Sequence, residues 1–484
     1  MPREKGADSQ GANRRAPNYS QQPEADMKLE DIYTAAPIWV QNLMVTGYGA
    51  KLYYERYFNQ DKEFLRFLLA NQRSSSEEIR VQQTAWLKTL LVHAAENVKY
   101  YRDTFKEAGF EPEDLRCLED LRLLPLLSKE ALRTAGDRML AGNFAPKQVV
   151  TLNTSGTTGK SLKIAVDLAS RRKAYDFVTR YHNWAGLENS RNNATFGGRT
   201  IVPQSQGSRE FWRYNAVMGN YLFSTYHLSE KNLPHYINKL REVQPRFIES
   251  YPSAVYIVAK FMEEHGLTGI RPKAVLTSGE TLFDHQREVV ERVFGCKLFD
   301  QYGCTEQALF VSQCEEGTYH AHPEYGIVEI LDDDDSPVGP GVVGRVVCTS
   351  FVNSAMPLIR YDLGDTACWS DGKCRCGRNF MIVKEISGRK DDYVVKTDGT
   401  KIGRLDPVFK AVDSVKLAQI VQLDLNHVVV KLVPGSTYCH EDRENIVAEL
   451  KKRLGDDMNI AVEEVADIAK TKNGKFRAVI SHVQ

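Results

Sequence analysis

Two hydrophobic patterns divide the chain. Across residues 28–135 apolar positions recur every three or four residues, as in EEIRVQQTAWLKTLLVHAAEN at 77–97, and this spacing predicts amphipathic helices. From about residue 145, short apolar runs alternate with further helical patterns. That alternation predicts an α/β sheet, in which ligands gather at the ends of the strands.

Four of the apolar runs pass directly into a turn of Gly, Ser, Thr or Pro. They are VVTLNTSG, PRFIESYPS, AVLTSGE and KLFDQYG, and each is predicted to be a strand followed by a loop. The segments AVYIVAKFMEEHG and HQREVVERVFG have helical spacing and separate some of these strands. The turns after the strands are therefore the first place to look for chemistry.

The last third of the chain has a different pattern. YGIVEIL and RVVCTSF, joined by an acidic Pro/Gly turn, predict a hairpin within an all-β subdomain at 319–385. Beyond it, LNHVVVKLV predicts a strand and RENIVAELKKRLG a helix. We expect a disordered tail at 1–26, a large domain at 27–387, a hinge at 388–392 and a small α+β domain at 393–484.

Composition narrows the classes of function. Lys+Arg and Asp+Glu number 63 each, so bulk charge does not favour nucleic acid or an acidic membrane as a partner. No apolar run is long enough to span a bilayer, and the tail has no apolar core of a signal peptide, so we expect a cytoplasmic protein. Nine cysteines in this setting predict reduced thiols or metal ligands rather than a disulfide framework.

A loop rich in Gly, Ser and Thr follows the apolar run at 149–152. Its hydroxyls and unhindered N–H groups suit an anion, and its residues are Thr154, Ser155, Gly156, Thr157, Thr158, Gly159, Lys160 and Ser161. A Walker A loop needs Gly where this chain has Thr154, which disfavours a P-loop NTPase. A simple surface turn is the ordinary alternative for such a loop taken alone.

This loop resembles the ATP-binding loop of the adenylate-forming superfamily of acyl-CoA synthetases, adenylation domains and luciferases. Four further motifs follow in that superfamily's order: Tyr302-Gly303-Cys304-Thr305-Glu306, Arg360-Tyr361-Asp362-Leu363-Gly364-Asp365, Gly388-Arg389-Lys390-Asp391-Asp392 and Asn473-Gly474-Lys475-Phe476-Arg477. Five motifs in order, over roughly residues 80–480, make chance agreement a poor explanation.

Within the superfamily the chain is most similar to the phenylacetate–CoA ligase branch, particularly CapK-type proteins of capsular-polysaccharide gene clusters. Tyr251-Pro252-Ser253, the segment 356–361 and Cys374-x-Cys376-Gly377 carry that closer likeness. Ser161 stands where the family usually has Pro, which we expect to change the stiffness of the loop more than its chemistry.

The resemblance implies adenylation with ATP and Mg²⁺, in which a carboxylate attacks the α-phosphorus and pyrophosphate leaves. Lys475 would then contact the carboxylate and the α-phosphate in the transition state, where a cation is needed. Glu306 would bind Mg²⁺, and Thr305 would lie beside the α-phosphate. Taken alone, Lys475 fits an exposed lysine in a basic tail better, and its place in the motif 473–477 after the hinge favours the catalytic role.

The implied nucleotide site contains residues from five places in the chain. They are Thr154, Ser155, Gly156, Thr157, Thr158, Gly159, Lys160, Ser278, Gly279, Glu280, Tyr302, Gly303, Asp365 and Arg389. Asp365 would accept hydrogen bonds from the ribose diol, Tyr302 would present its ring to adenine, and Asp391 would be the hinge. The ordinary alternatives are a core tyrosine for Tyr302, an Asx turn for Asp365, and plain turns for the segment 278–280 and the hinge.

Cys314, His320, Cys374 and Cys376 form two close pairs separated by the β region. Cys₃His is an accepted set of structural zinc ligands, and several relatives in the phenylacetate–CoA ligase branch carry the same pairs. His322 is an alternative ligand. We predict structural zinc here, against the alternative of four unrelated polar and buried residues.

The acid and its acceptor stay open at this level. Arg199, Arg213, Tyr251 and Ser253 are predicted to border the acyl pocket, where either arginine would suit an extra carboxylate or phosphate. The acceptor is an amine, a hydroxyl such as one on a sugar, or the thiol of CoA. A nucleotidyltransferase and a non-catalytic nucleotide-binding regulator are the alternative functions, and the oligomeric state is left open.

Overall fold

The computed structural model describes residues 29–153, 162–187, 191–203, 206–389, 394–397, 401–402, 405–409, 412, 414–471 and 476–483. The expected tail at 1–26 lies outside these residues. The helices in the described ranges are α1 (Leu29–Ala35), α2 (Ile38–Arg56), α3 (Lys62–Asn71), α4 (Ser76–Asn97), α5 (Lys99–Ala108), α6 (Lys129–Ala135), α7 (Leu168–Trp184), α8 (Leu233–Val243), α9 (Pro252–Glu264), α10 (Asp284–Phe294) and α11 (His440–Leu454).

The strands of the large domain are β1 (Val149–Asn153), β2 (Lys163–Asp167), β3 (Asn193–Gly197), β4 (Trp212–Asn215), β5 (Asn220–Ser224), β6 (Phe247–Ser250), β7 (Ala274–Ser278), β8 (Lys297–Gly303), β9 (Phe310–Gln313), β10 (Tyr319–Ala321), β11 (Gly326–Leu331), β12 (Val343–Ser350), β13 (Tyr361–Ser370) and β14 (Ile382–Arg389). Those after it are β15 (Val394–Val395), β16 (Lys401–Ile402), β17 (Val415–Asp424), β18 (His427–Pro434), β19 (Asn459–Glu464) and β20 (Val479–Ser481). None of the described helices is long and apolar enough to cross a membrane.

Twelve strands form one sheet in the order β11-β12-β13-β14-β10-β9-β8-β7-β6-β3-β5-β4. The pairs β5–β3, β3–β6, β6–β7 and β7–β8 are parallel, which places the carboxyl ends of five strands at one edge. β4 and the strands from β9 onward pair antiparallel with their neighbours. The five parallel strands are therefore the α/β part of the sheet, and the remaining strands pair antiparallel.

Successive apolar side chains of the parallel strands β6 and β7 point to opposite faces of the sheet, and helices cover both faces. Val275 packs with α8, α9 and α10, whereas its neighbours Ala274 and Leu276 pack with α3 and α7. Phe247 and Ile248 divide between the same two faces. Since successive side chains of a strand point to opposite faces, runs such as AVLTS need apolar residues at consecutive positions.

The structure confirms the predicted α/β class and changes two of its details. VVTLN forms β1, but among the described residues β1 pairs with β2 in a separate two-stranded sheet and not with a strand of the large one. The strands predicted as an all-β subdomain at 319–385 are present, yet β10 and β14 join them to the α/β strands in one continuous sheet. Hairpin patterns give local pairing but do not reveal which edge the hairpin extends.

The small domain has its own four-stranded sheet, β19-β18-β17-β20, covered by α11. Its interior consists of aliphatic side chains such as Val430, Leu432, Ile446 and Leu450. Arg389 pairs with Asp365 at the end of β14, so the expected hinge at 388–392 begins inside a paired strand. Asp391 itself lies outside the described residues.

A buried ion pair connects α7 to the loop between β10 and β11. Arg180 and Glu324 approach to 2.8 Å, and their side chains are 0% and 1% exposed. Asn71 also donates to Glu324 at 2.8 Å, and the Leu68 carbonyl accepts from Arg180 at 3.1 Å. The pair thus ties α3, α7 and the sheet together.

We expect Arg180→Met to lower the free energy of unfolding by about 3–5 kcal/mol, because it leaves the Glu324 carboxylate buried without its charge partner. Equilibrium urea unfolding followed by circular dichroism measures the loss. Arg292→Met is the control, since Arg292 contacts Glu263 at 2.7 Å on the exposed surface and should cost only about 0–1 kcal/mol. Equal losses in the two variants would contradict the assignment.

Candidate functional site

Several of the predicted site residues lie at or just beyond the carboxyl ends of the parallel strands. Arg199 follows β3, Tyr251 and Ser253 follow β6, and Thr305 and Glu306 follow β8. Ser278 ends β7, and Gly279 and Glu280 come directly after it. Open α/β sheets bind ligands at this edge, where loops of different strands face one another. Residues distant in sequence therefore lie on one side of the molecule.

Two of the motifs exchange tyrosine–carboxylate hydrogen bonds. The Tyr302 hydroxyl, from the motif 302–306, donates to Asp365 Oδ2 at 2.5 Å. The Tyr361 hydroxyl, from the motif 360–365, donates to Glu306 Oε1 at 3.3 Å. Each motif thus supplies the tyrosine that orients the other motif's carboxylate. We refer to these two contacts as the reciprocal tyrosine bonds.

Burial keeps both tyrosines protonated. It raises the pKa of Tyr302 well above its ordinary value, and the Asp365 carboxylate raises it further. Burial also raises the pKa of Tyr361, as does the neighbouring Glu306. Both phenols therefore donate at neutral pH. The Tyr302 ring packs against the core, so the predicted contact with adenine stays a prediction.

The turn after β7 depends on a glycine. Gly279 has φ +83, a left-handed conformation that costs a side-chain-bearing residue energy. The turn brings Glu280 against two backbone groups: Oε1 accepts from the Phe476 N–H at 2.6 Å and Oε2 from the Ser253 N–H at 3.1 Å. Burial raises the pKa of the Glu280 carboxyl, and these donors together with Lys470 lower it in part.

The segment 360–365 begins with a residue in an unusual conformation. Arg360 has φ +47, and its guanidinium binds both oxygens of Glu329 at 3.1 and 3.2 Å. The Leu124 carbonyl accepts a third bond at 2.7 Å. This buried set of partners holds the backbone where Tyr361 can reach Glu306.

The expectation that Arg213 binds an anionic group of the substrate is wrong. Its side chain is fully buried and donates to Gln41 Oε1 at 2.6 Å, to the backbone carbonyls of Glu210 and Trp212, and to Gln206. These bonds use the guanidinium to fasten β4 to α2. Arg199, in contrast, is exposed, and its guanidinium lies 5.0 Å above the Tyr48 ring.

Several predicted residues lie outside the described ones, so their roles stay predictions. They are Thr154, Ser155, Gly156, Thr157, Thr158, Gly159, Lys160, Asp391 and Lys475. Strands β1 and β2 lie on either side in sequence of the loop that is predicted to bind phosphate. They pair Asn153 with Lys163, near the two ends of that loop. For Arg389 the structure gives only the backbone pairing with Asp365.

Three residues of this edge received no role from the sequence. Tyr361 lies inside a recognised motif, so its contact with Glu306 had a signal in the sequence. Lys470 precedes Lys475 by five residues in the sequence and donates to the Thr225 carbonyl at 2.8 Å. Tyr226 donates to the Gly198 carbonyl at 3.0 Å, and nothing in its local sequence distinguishes it from a core tyrosine.

Cys314, His320, Cys374 and Cys376 come together, with their four ligand atoms all within 4.8 Å of one another. The Cys314 and Cys374 sulfurs are 3.7 Å apart, and Cys376 Sγ is 3.4 Å from His320 Nε2. Tetrahedral zinc with ordinary bond lengths places two sulfurs about 3.8 Å apart and a sulfur and a nitrogen about 3.6 Å apart. The donor set and its spacing fit a four-coordinate zinc ion.

The ring of His320 has the form that binds a metal. Burial lowers its pKa to about 4, so the ring is neutral at pH 7. Nδ1 lies 3.4 Å from the Phe380 carbonyl, which can hold the proton on Nδ1 and leave Nε2 facing the three sulfurs.

His322 is not part of this cluster, contrary to its mention as an alternative ligand. Its Nδ1 accepts from Arg180 at 2.5 Å, which leaves Nε2 to donate to Ser312 Oγ at 2.7 Å. Both ring nitrogens are therefore used in the buried network around Arg180. His320 and His322 are two residues apart, yet His320 belongs to the Cys/His cluster and His322 to the network around Arg180.

Comparison with known proteins identifies relatives over most of the chain. The model of the CapK C-terminal domain family matches residues 394–482. Protein CapK of Staphylococcus aureus is 26% identical over 469 residues, covering 94% of this chain and 100% of that protein. A phenylacetate-coenzyme A ligase of Thermus thermophilus is 25% identical, covering 84% of this chain and 96% of that protein.

Among solved structures, 2-hydroxyisobutyryl-CoA ligase in the postadenylation state, in complex with R3-HIB-AMP, matches with a TM-score of 0.69 at 19% identity. The match covers 85% of this chain and 91% of that one, and it shows a shared fold. These findings confirm the resemblance to the phenylacetate–CoA ligase branch and the predicted fold class.

Proposed function

We propose that this protein is an ATP-dependent ligase that activates a carboxylic acid as its acyl-adenylate and then transfers the acyl group to an acceptor. The reciprocal tyrosine bonds carry the proposal, because they hold the candidate ribose carboxylate, Asp365, and the candidate metal carboxylate, Glu306, in one site. An ATP–Mg²⁺ complex needs both kinds of ligand close together.

In the first half-reaction an oxygen of the substrate carboxylate attacks the α-phosphorus of ATP. The bond from the α-phosphorus to the bridging oxygen breaks, and pyrophosphate leaves. Mg²⁺ held at Glu306 would neutralise charge on the phosphates. The chain's own residues orient the nucleotide through Asp365 and supply a cation, Lys475, to the charge that develops at the α-phosphate.

The acceptor in the second half-reaction is proposed to be the thiol of CoA, because two of the relatives are CoA ligases by name. Attack of the thiolate on the acyl carbon would release AMP. An amine or a hydroxyl, including one on a polysaccharide precursor, is the second candidate, and the similarity to protein CapK favours keeping it. Arg199, exposed at the edge after β3, is the remaining candidate for binding an anionic group of the acid.

The test is pyrophosphate release with ATP, Mg²⁺ and a panel of carboxylic acids, repeated with CoA, with amines and with sugar hydroxyls. Mass spectrometry of the products separates a thioester, an amide or an ester from an AMP-modified substrate. An AMP-modified product would establish the nucleotidyltransferase alternative. ATP binding without pyrophosphate release under any condition would instead support the regulator.

We expect Lys475→Ala to lower the rate of adenylate formation by at least about a hundredfold, because it removes a cation that meets charge in the transition state. ATP binding, measured by calorimetry, should change little, since the reciprocal tyrosine bonds lie in the large domain. Lys472→Ala is the matched control from the same segment. Adenylation at the wild-type rate in Lys475→Ala would refute the role.

Rotation of the small domain at 388–392 is part of the proposal, because Lys475 must give way before an acceptor can approach. Asp391→Pro fixes φ at the proposed hinge and should restrict that rotation. We expect pyrophosphate exchange to persist while transfer to the acceptor slows about tenfold or more. An equal loss of both half-reactions would point to damaged folding instead.

We propose that zinc occupies the site of Cys314, His320, Cys374 and Cys376 in a structural role, because four protein ligands leave no position for substrate. We expect about one zinc ion per chain in protein purified without chelator. Cys374→Ser should lose the metal and lower the melting temperature. Cys439→Ser, at an exposed cysteine, is the control and should keep the zinc. Folded wild-type protein without zinc would contradict the proposal.

A further inference from the structure

Glu280 connects the two domains through its carboxylate. Oε1 accepts the backbone N–H of Phe476, in the small domain, at 2.6 Å. Phe476 directly follows Lys475 in the sequence, so this bond fixes the chain one residue beyond the proposed catalytic lysine. A contact to a backbone group does not depend on the side chain of Phe476 and constrains the path of the main chain itself.

The second oxygen of the carboxylate fixes its direction. Oε2 accepts the Ser253 N–H at 3.1 Å, in the first turn of α9, where the N-cap residue Tyr251 makes no capping bond with its own side chain. A carboxylate at the start of a helix is stabilised by the unpaired N–H groups there. Glu280 is consequently held on the large domain by one oxygen while the other is presented to the small domain.

A second contact between the domains lies beside this one. Lys470 Nζ donates to the Thr225 carbonyl at 2.8 Å, and its ammonium is near enough to lower the pKa of the Glu280 carboxyl. Both contacts are partly buried. The ion pair of Lys416 with Glu230, at 3.3 Å, also joins the domains but is exposed, so water and salt weaken it.

We propose that Glu280 is a positioning residue for the adenylation step, which it serves by holding the segment between Lys470 and Phe476 against the large domain. This inference rests on the proposed function. The two contacts bracket Lys475, five residues after Lys470 and one before Phe476. Phe476 is bonded directly to Lys475, so a restraint on the Phe476 backbone limits the positions open to the proposed catalytic group, and such a limit raises the rate of the step that the group serves.

The bridge also makes the conformation switchable. Two hydrogen bonds to backbone atoms can break together when the small domain rotates. The Glu280 carboxylate then keeps its bond to Ser253 and gains water at Oε1. Glu280 thus favours the adenylation conformation without preventing the rotation that transfer requires.

The test uses the full chain and three variants: Glu280→Ala, Lys470→Met and, as the matched control, Glu230→Gln. Glu230 is also a carboxylate that contacts the small domain, but on the exposed surface. Hydrogen exchange measured by mass spectrometry with residue-level fragmentation follows the Phe476 amide. Pyrophosphate exchange gives kcat and KM for ATP. Thermal unfolding shows whether each variant is folded.

We expect the Phe476 amide to exchange at least about tenfold faster in Glu280→Ala and faster in Lys470→Met, with no change in Glu230→Gln. The kcat for adenylation should fall about tenfold or more in Glu280→Ala while KM for ATP changes less than about threefold. Glu280→Gln keeps one acceptor oxygen, so it should retain part of the Phe476 amide protection and part of the kcat for adenylation that Glu280→Ala loses.

Unchanged protection of Phe476 in folded Glu280→Ala would overturn the inference. So would a larger effect on KM than on kcat, since that would make Glu280 a nucleotide-binding residue only. The exchange experiment needs no turnover. Failure of the wild-type protein to adenylate any acid would therefore count against the proposed function, whereas the exchange result would still decide whether Glu280 holds the segment.

Discussion

The parallel pairing of β5, β3, β6, β7 and β8 is the constraint on which the rest of the site depends. Parallel strands in one sheet end at a common edge, so the loops that follow them must face one another. The helices on both faces are a consequence, because each crossover between parallel strands has to cover the sheet. The reciprocal tyrosine bonds and the Glu280 contacts are both built on this edge.

Protein groups rather than metal or substrate orient the acidic residues of the site. Tyr302 and Tyr361 each belong to the motif opposite the carboxylate they bind, so the segments 302–306 and 360–365 are positioned as a pair. A shift of one segment would misplace a carboxylate in the other. This mutual support explains how a site assembled from distant parts of the chain can present its ligands in a fixed geometry.

The Cys/His cluster and the Arg180 network lie next to each other and have different physical bases. Around Arg180, charges are compensated by Glu324 and by neutral donors and acceptors, among them His322 and Asn71. In the cluster, three sulfurs and one imidazole nitrogen lie within 4.8 Å of one another. Such a convergence of soft donors suits a metal ion better than it suits hydrogen bonding.

The sequence by itself determined most of the elements and identified the candidate residues of the site. Short apolar runs that end in turns correctly predicted β6, β7 and β8, and three-to-four spacing correctly predicted α9 and α10, because these patterns reflect which faces of a strand or helix are buried. The motifs likewise contained Glu306, Asp365 and the four residues of the cluster. Each of these residues lies in a short motif, and the ligand that it is expected to bind restricts which residue type can stand there.

Only the tertiary structure decided which partners each residue has. It joined the β region to the α/β sheet, used Arg213 to fasten β4 to α2, and placed His322 beside Arg180 instead of among the cysteines. It also paired Tyr361 with Glu306 and brought the Glu280 carboxylate to the Phe476 N–H. These contacts join residues 55 and 196 positions apart in the chain. Their formation depends on how strands are ordered and domains are packed, and no local sequence pattern records that order.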